Sequence, residues 1–490
     1  MSQLLPLSRA ARLLGVSRGA LQKRIQDGGL PSFDGMVATK DLLLAYPDTK
    51  FEEDLVIERL EQIKEEAFAK RVRERALPNK EVLAARLYEQ SRELADVRTH
   101  LQQYHSIVVR TQDRLRVILE TGAPDTPSEF EELSGWLNQQ LEEVLDTKAP
   151  DTLDVMDDYL RVVSAHVILQ PSRHEFFVDG ADTILEAALR SGLALNYGCS
   201  SGNCGLCKAR IVSGQSKKVR HHDYVLSEAE KNMGYALMCS HTAVTDLIVE
   251  ALEASRPGDI PVQEIQARVK LLEPLTDKVM RLRVQTPRTN RLRFLAGQSV
   301  KLSVGEIGGE AYSVASCPCD DRNLEFHIRN LPHDAFAQRV FKGLKSGDTV
   351  TVEGPFGDFV MHDESLRSPL LIACNSGFAP IKSLIEHTMA IDTVEDIYLY
   401  RMATFTGGHY QSNICRSWAD ALDNFHYTEV SADALSDESI SEMLEKIGHD
   451  HPDLSAFDVY LAGPEVFVSQ VREWLQEQGI PKDQLLCAVV

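Results

Sequence analysis

Four cysteines constrain the fold of this chain more than any other feature of its sequence. Three follow one another in the spacing C-x4-C-x2-C and the fourth comes well downstream: Cys199, Cys204, Cys207 and Cys239. Glycine and serine lie in the intervals, so the chain can close into a tight loop whose backbone N–H groups point at the sulfur atoms. The pattern predicts a metal centre held by this loop and by one thiolate from elsewhere in the fold.

Two other uses of these cysteines are open on sequence grounds. Structural zinc sites usually pair two C-x2-C knuckles, whereas this sequence offers one, Cys204-Gly-Leu-Cys207. Disulfides are not expected, because no secretory segment opens the sequence. The C-x4-C-x2-C spacing resembles that of plant-type ferredoxins, and the resemblance implies a [2Fe–2S] cluster held by all four cysteines.

Length and composition set further limits. A chain of 490 residues is too long for one core, and 43% hydrophobic with 26% charged residues is typical of ordinary globular domains. No apolar run reaches the ~18 residues needed to cross a bilayer, so we expect a cytoplasmic protein without membrane insertion, its other five cysteines reduced. The net charge of −21 disfavours general nucleic-acid binding, although residues 1–50 carry seven Lys and Arg against four Asp.

Residues 1–50 contain two short predicted helices, over 8–14 and 18–26, separated by a turn at Gly15. A hairpin over 33–37 and a helix over 41–44 are predicted to follow. The pattern resembles the winged helix-turn-helix heads of the mercury-resistance-regulator and excisionase families, and the resemblance implies that the second helix enters the DNA major groove. That helix would present Arg18, Gln22, Lys23 and Arg24. Docking to protein and a plain structural cap are the alternatives, and we favour them because a net charge of +3 is weak for phosphate binding.

A heptad pattern follows a charged amphipathic helix that is predicted over 52–77. Apolar residues recur every seventh position along one seam: Leu87, Leu94, Leu101, Val108 and Leu115. A second seam contains Val97, Tyr104 and Ile118. The repeat predicts a coiled coil that pairs two copies of the chain. The alternative is a hairpin in which the preceding helix folds back onto the same stripe. Linkers are predicted over 122–127 and 146–151, around a short helix over 129–145.

The cysteine loop itself lies in a strand-rich segment. Strands are predicted over 167–169, 175–178 and 209–212, with a helix over 183–189 directly before the loop. Two strands, a helix, the loop and a late cysteine follow the order of a β-grasp ferredoxin, which the chain resembles over residues 164–254.

Beyond residue 264 the pattern predicts an antiparallel sheet. Its strands are expected over 267–271, 279–284, 299–303 and 326–329, and the segments Ala311-Tyr-Ser-Val-Ala-Ser316 and Gly354-Pro-Phe-Gly357 accompany them. This succession resembles the flavin barrel of the ferredoxin–NADP reductase superfamily. The resemblance implies that Tyr312 packs on the isoalloxazine ring of FAD and that the Ser313 hydroxyl reaches flavin N5.

An α/β unit comes last. The apolar strand over 369–374, the turn Asn375-Ser-Gly-Phe-Ala-Pro380 and a helix over 381–389 form a step of the kind that binds dinucleotide phosphates. Further strands over 397–400 and 459–464 precede a terminal helix over 465–475. By resemblance, NAD(P)H would lie against Gly377, Pro380, Gly463 and Pro464.

The tail departs from this family where both ligands would be touched. The substitutions are Glu310 for the arginine that neutralises the flavin pyrophosphate, His333-Asp334 for the glycine pair that donates to it, Asn375-Ser376 for Gly-Thr, and Ala462 for the cysteine beside the nicotinamide. Arg329 is a candidate substitute for the missing flavin arginine. Arg401 lies near the position expected for the arginine that reads the adenosine phosphate.

The predicted fold class is multidomain. The expected domains are a helix-turn-helix head (1–50), a helical coiled-coil region (51–121), a linker with a short helix (122–163), a β-grasp ferredoxin (164–254), an antiparallel FAD-binding barrel (264–365) and an α/β NAD(P)-binding-like domain (366–490). The first hypothesis for function is an iron–sulfur flavoprotein reductase that moves electrons from NAD(P)H through FAD and the [2Fe–2S] cluster to a partner protein such as an oxygenase. The alternatives are a dimeric redox-sensing regulator that binds DNA or protein with a degenerate reductase module, and an electron-transfer subunit docked by its head.

Overall fold

The computed structural model describes residues 4–32, 35–46, 80–121, 135–136, 160–180, 182–363 and 365–490. The chain divides into two compact units, one of residues 1–49, 166–178 and 182–490 and the other of residues 50–165 and 179–181. The predicted helices over 52–77 and 129–145 and the predicted linkers lie outside the described residues, apart from residues 135–136. Across the described ranges, no helix combines the length and the apolar character needed to cross a membrane.

The head consists of residues 4–32 and 35–46. Its elements are β1 (Leu4–Pro6), α1 (Leu7–Leu14), α2 (Arg18–Gln26), β2 (Met36–Ala38) and α3 (Thr39–Ala45). Gly15 ends α1 in the left-handed conformation, and the Ser17 hydroxyl caps α2 by accepting from the Ala20 N–H. The predicted local hairpin over 33–37 lies partly outside the described residues. The described part, β2, pairs antiparallel with β1 and brings the buried side chains of Leu5 and Val37 together.

The heptad segment forms one continuous helix, α4 (Lys80–Thr121). Side chains of both predicted seams are exposed on it within one copy of the chain: Leu87, Leu94, Val97, Leu101 and Tyr104. Pairing of this helix with another helix stays a prediction.

The cysteine-loop domain follows. Its elements are β3 (Ser164–Gln170), β4 (Glu175–Asp179), α5 (Ile184–Arg190), β5 (Lys208–Ser213), β6 (Ser216–Lys218), α6 (Glu228–Asn232), β7 (Tyr235–Leu237), β8 (His241–Ala243) and β9 (Leu247–Glu250). The main sheet has the order β4-β3-β9-β5-β7, with β3 and β9 parallel and β5 antiparallel to β9. Thr183 caps α5 in a capping box with Glu186, so the helix begins where the sequence predicts.

The antiparallel domain has one curled sheet and a helix. Its elements are β10 (Gln263–Thr276), β11 (Val279–Gln285), β12 (Ser299–Val304), β13 (Ile307–Ser313), β14 (Asn323–Arg329), α7 (Ala335–Lys342) and β15 (Thr349–Phe356). The sheet order is β13-β12-β15-β10-β11-β14, and the two edge strands β13 and β14 contact each other because the sheet curls round. Alternate apolar side chains fill its interior, among them Val300, Leu302 and Phe326.

The parallel-sheet domain completes the chain. Its elements are β16 (Ser368–Cys374), α8 (Phe378–Ile391), β17 (Ile397–Ala403), α9 (Ser412–Ala421), β18 (Phe425–Ser431), α10 (Asp437–Asp450), β19 (Phe457–Gly463), α11 (Glu465–Glu477) and β20 (Leu485–Val489). The sheet order is β18-β17-β16-β19-β20 and all pairs are parallel. Apolar cores cover both faces of this sheet, which explains why its central strands are continuous hydrophobic runs.

One prediction about the cysteines is corrected. Cys317 and Cys319, expected as reduced thiols, are joined as a disulfide across the intervening Pro318, and their Cα atoms are 5.1 Å apart. The short turn at Pro318 holds the two side chains side by side. Cys374, Cys415 and Cys487 are free, as predicted.

Candidate functional site

The cysteine loop lies between α5 and β5 and depends on two glycines. Gly202 and Gly205 have φ angles of +81° and +75°. A side chain at either position would collide, with His222 at Gly202 and with Tyr224 at Gly205. The segment that carries His222 and Tyr224 therefore packs directly on the loop, and only glycine is compatible with this backbone.

The four cysteine side chains form two pairs. Cys199 and Cys204 lie within hydrogen-bonding reach of each other, and so do Cys207 and Cys239. Cys204 is exposed, whereas the other three are buried. Among the described residues, no three His, Cys, Asp or Glu side chains converge as ligands of a single metal ion. Two pairs of thiols suit a centre with two irons, in which each iron takes two thiolates.

Hydrogen-bond donors favour the thiolate form of two of these cysteines. Burial opposes ionisation of Cys199, but the N–H groups of Cys204, Ser201 and Asn203 outweigh it and lower its pKa to about 7. The Cys207 thiol donates to Cys239 and lowers the pKa of Cys239 to about 6. Such donors also stabilise thiolates that bind a metal.

The cysteine loop is bonded to the antiparallel domain by main-chain contacts. Ser200 N donates to Arg288 O at 3.0 Å, and Arg291 N donates to Gly198 O at 2.9 Å. The buried Arg291 side chain reinforces this junction, because its Nη2 donates to Ser200 Oγ at 3.1 Å and its Nη1 to Thr286 Oγ1 at 2.8 Å. The cysteine loop is therefore joined by hydrogen bonds to the segment between β11 and β12.

Tyr312 and Ser313 end the edge strand β13 with half-buried side chains. Ser313 pairs with Ser299 across the strands, and the Ser299 hydroxyl donates to Phe356 O in the Gly354-Pro-Phe-Gly357 segment. The Tyr312 ring packs on Phe336 with centroids 5.5 Å apart. The structure thus brings Tyr312 and Ser313 next to the segment that the sequence analysis grouped with them.

The first turn of α7 is occupied by a carboxylate of the chain itself. Asp334 caps α7 by accepting from Ala337 N at 2.9 Å, and it also accepts the hydroxyl of Tyr312. Burial raises the pKa of Tyr312 well above its ordinary value, and this hydrogen bond raises it further. Glu310 and His333 lie nearby on the surface, with Oε1 and Nε2 3.7 Å apart. A negative side chain therefore takes the position at which a helix N-terminus attracts anions.

A buried charged network joins β14 to α8, and the sequence analysis missed it. Glu325 contacts His327 at 3.0 Å, Arg283 at 2.6 Å and Lys382 at 3.6 Å. Burial opposes ionisation of Glu325, but His327, Lys382 and Arg283 together hold its pKa well below the usual range. A lysine in the otherwise apolar first turns of α8 is the signal that could have revealed this network.

The same lysine holds the segment that follows Ser313. Lys382 Nζ donates to Ala315 O at 3.1 Å and to Glu386 at 2.7 Å, and Glu386 in turn accepts from Cys317 N at 3.0 Å. The Ser383 hydroxyl donates to Ser316 O at 2.8 Å. Helix α8 of the parallel-sheet domain therefore fixes the chain directly after Tyr312 and Ser313.

The glycines predicted in the parallel-sheet domain meet at the carboxyl edge of its sheet. A side chain on Gly377 would collide with the backbone of Ala462 and Gly463. Pro380 is buried within α8, and Pro464 precedes α11. Asn375 has a φ angle of +51°, and its side chain bonds both the Thr404 hydroxyl at 2.7 Å and the Thr404 N–H at 3.0 Å. The turn after β16 is thus tied to the end of β17.

The two arginines that the sequence analysis singled out have different surroundings. Arg401 is fully buried, with its guanidinium 3.8 Å from the centroid of Phe378 and 4.8 Å from that of Tyr410. It belongs to the core, so its candidacy as an adenosine-phosphate ligand is not supported. Arg329, at the end of β14, lies near Cys374 and Tyr410, since burial raises the pKa of each and the charge of Arg329 opposes this.

Comparison with known families decides what these domains are. Residues 167–244 match the family "2Fe-2S iron-sulfur cluster binding domain", and residues 266–361 match the family "Oxidoreductase FAD-binding domain". The chain carries a ferredoxin domain and an FAD domain. The cysteine-loop domain is the ferredoxin domain, and the antiparallel domain is the FAD domain.

Several known proteins are similar to this chain over about two thirds of its length. The chain is 28% identical over 326 residues to CDP-6-deoxy-L-threo-D-glycero-4-hexulose-3-dehydrase reductase of Yersinia pestis, which covers 66% of this chain and 97% of the relative. It is 27% identical over 330 residues to the reductase component of propane 2-monooxygenase of Rhodococcus jostii strain RHA1, with 64% and 88% covered. The crystal structure of the Amycolatopsis cytochrome P450 reductase GcoB matches with 24% identity and a TM-score of 0.42, covering 66% of this chain and 98% of that one.

The residues present fit the two cofactors unequally. In the ferredoxin domain the two thiol pairs and the converging N–H groups fit a [2Fe–2S] cluster. In the FAD domain, Tyr312 and Ser313 are half-buried at a strand end and fit the ring side of a flavin. Asp334 and Glu310 change the side where the pyrophosphate would lie, because they present carboxylates there.

Proposed function

We propose that this protein is an iron–sulfur flavoprotein reductase that passes electrons from NAD(P)H through FAD and a [2Fe–2S] cluster to a partner protein. The main observation in support is the bonded junction between the cysteine loop and the FAD domain, at Ser200, Arg288 and Arg291. Electron transfer between the two domains needs a fixed, close approach, and this junction supplies one. When bound, FAD supplies hydride acceptance and its conversion into single electrons, and the cluster carries those electrons one at a time.

We assign the chain's own residues the following tasks. Tyr312 packs against the isoalloxazine ring, and Ser313 donates toward its N5 edge. Lys382 and Ser383 hold the carbonyl groups of Ala315 and Ser316, so the strand end that carries both residues stays in place when the ligand binds. Gly377, Pro380, Gly463 and Pro464 form the proposed nicotinamide nucleotide side, at the carboxyl edge of the parallel sheet. Arg329 keeps its proposed role as the substitute for the missing flavin arginine.

We assign the cluster to Cys199, Cys204, Cys207 and Cys239. Cys204 is exposed at the tip of the loop beside Leu206, whose side chain is 51% exposed. We propose that the electron acceptor docks over this tip, because the other three thiols are buried. The relatives include the reductase component of a monooxygenase, so an oxygenase or a similar redox enzyme is the class of acceptor that we propose.

Two artificial electron acceptors that react with different cofactors test this function. Ferricyanide takes electrons directly from a reduced flavin, whereas cytochrome c is expected to take them from the cluster. With FAD and the cluster loaded, NADH or NADPH should support reduction of both. The variant Cys204→Ser should lose cytochrome c reduction and keep ferricyanide reduction, because it removes a cluster thiolate and leaves the FAD domain unchanged.

The matched control is Ser201→Ala, a change in the same loop that removes no thiolate. It should keep both activities. Absence of ferricyanide reduction with either nucleotide in the FAD-loaded protein would contradict the proposal.

A further inference from the structure

The head makes a polar, largely buried contact with the ferredoxin domain. Arg9, whose side chain is 2% exposed, pairs with Asp246 at 2.9 Å. Ser8 bonds His166 at 3.1 Å and also Glu175, and His166 N donates to Asp246 Oδ1 at 2.9 Å. A buried arginine needs its carboxylate, so this contact joins the head to the domain specifically.

A second contact adds an aromatic side chain to the same face. The Arg12 guanidinium lies over the Phe177 ring, 4.5 Å from its centroid. Arg9 and Arg12 are on one side of α1, one turn apart, and both face the ferredoxin domain.

The second helix of the head contacts a different domain. A side chain on Gly19 would lie 2.7 Å from Val394 O, so the backbone of α2 touches the loop that precedes β17. Arg18 N donates to Asp392 at 3.3 Å, and Lys23 Nζ pairs with Glu395 at 2.6 Å. Arg24 lies over the Tyr46 ring within the head itself. The side chains of Lys23 and Arg24, which a DNA-reading helix would present, are therefore engaged inside the chain, and Arg18 is held there through its backbone N–H.

Both attachment points lie away from the redox sites. Asp246 and His166 are at the start of the parallel strands β9 and β3, whereas β5 leaves the cysteine loop beside the other end of β9. Residues 392–395 precede β17 at the amino edge of the parallel sheet, opposite the turn at Asn375. The head therefore joins two domains from the side that leaves the cluster tip and the nucleotide edge open.

We propose that the head is an intramolecular bracket that ties the ferredoxin domain to the parallel-sheet domain. Its second helix is a protein-docking surface whose partner is the 392–395 loop of the same chain, and it does not read DNA in this state. By holding both domains, the bracket keeps the cysteine loop seated on the FAD domain.

Zero-length crosslinking of the full chain tests the docking directly. A carbodiimide joins an amine to a carboxylate in contact with loss of water, so Lys23 and Glu395 should form an amide that mass spectrometry detects between their peptides. Lys208 and Glu230, paired within the ferredoxin domain, are the positive control. A mixture of light and heavy isotope-labelled protein should give crosslinked peptides that are entirely light or entirely heavy. A Lys208–Glu230 crosslink without the Lys23–Glu395 one, or a mixed light–heavy product, would overturn the proposal.

Two sets of variants test the bracket through hydrogen exchange of α1, α2 and residues 392–396. Gly19→Ala improves helix propensity but forces a methyl group against Val394 O, so these amides should exchange about fivefold faster or more despite the better helix former. Lys23→Glu should also speed exchange, and the swapped pair Lys23→Glu with Glu395→Lys should restore it. Lys40→Glu, an exposed charge reversal on α3, is the control and should change nothing. Unchanged exchange in Gly19→Ala would contradict the bracket.

DNA binding is the remaining outcome. Duplex DNA that binds the full chain and protects α2 from exchange would show that the helix reads DNA, and would overturn the assignment. No protection of α2 by DNA, together with the Lys23–Glu395 crosslink, is the expected result.

Discussion

Among single residues, the unusual feature of the FAD domain is that Asp334 and Glu310 stand at the positions where the sequence predicts contacts with the FAD pyrophosphate. Asp334 is buried and bonded to both the α7 N-terminus and Tyr312, whereas Glu310 is exposed. Asp334 is therefore part of the folded structure, whereas exchange of Glu310 removes only its exposed contact with His333. Variants of Asp334 are therefore expected to change the stability of the fold, whereas variants of Glu310 are expected to change the affinity for FAD.

The variant Glu310→Arg should bind FAD at least about tenfold more tightly, because hydrogen bonds to charged groups contribute roughly 1.5–3 kcal/mol. Flavin fluorescence titration of the apoprotein measures this affinity. Glu306→Arg, an exposed change of equal charge on the same hairpin, is the control and should shift affinity much less. Equal effects of the two variants would show that only general charge is involved.

The network around Lys382 belongs to the same scale. Lys382→Met leaves Glu325 buried with one cation fewer, so the free energy of unfolding should fall by roughly 3–5 kcal/mol. Denaturant unfolding measures it, and Lys342→Met on the exposed side of α7 should be nearly neutral. A loss below about 1 kcal/mol in Lys382→Met would contradict the role given to this contact.

The pH dependence of stability follows from Glu325. Its pKa is depressed in the folded protein, because His327, Lys382 and Arg283 outweigh burial. Its contribution to stability is therefore complete above the ordinary carboxyl pKa of about 4.3 and is lost as pH falls through the folded value. Glu325→Gln should be less stable than the parent at neutral pH, and the difference should shrink below about pH 4.

At the scale of elements, most strands and helices that position the site could be predicted from the sequence. The helix over 18–26, the strand over 369–374 and the strand over 459–464 have bounds within two residues of α2, β16 and β19. Each has a strong local signal, since a serine cap or a continuous apolar run fixes its start or its extent.

Other parts of the site could not be predicted, because they depend on contacts between distant residues. The pairing of β1 with β2 was not predicted, since nothing near residue 36 shows that Leu5 will cover Val37. Arg401 lies near its family position in the sequence, yet Phe378 and Tyr410 enclose it. The network of Glu325 and Lys382 links residues 57 positions apart, which no spacing rule covers.

The exposed stripe of α4 gives a prediction at this scale. Leu94 and Leu101 are 56% and 60% exposed in one copy of the chain, as expected for the contact face of a coiled coil. The double variant Leu94→Glu with Leu101→Glu should convert a dimer into a monomer in sedimentation velocity, because both charges would face the partner helix. Ser91→Glu, exposed on the same helix, should leave the mass unchanged. A parent protein that is already monomeric would contradict intermolecular pairing.

Across the whole chain, the proposed reductase function depends on a continuous route for electrons. The parallel-sheet domain holds the chain after Ser313 through α8, and the FAD domain holds the cysteine loop through Arg288 and Arg291. Each link is made of hydrogen bonds between named residues of consecutive domains. The cluster tip at Cys204 is exposed at the end of this route.

Anaerobic mixing of the cofactor-loaded protein with NADH or NADPH tests this route most directly, with the cluster followed by electron paramagnetic resonance. We predict that one of the two nucleotides reduces the cluster and produces its paramagnetic signal. The variant Cys239→Ser should give no such signal with either nucleotide. The proposed route would be contradicted if the cluster stayed oxidised with both nucleotides while FAD was bound. A chemical reductant should reduce the same cluster, which shows that it is intact.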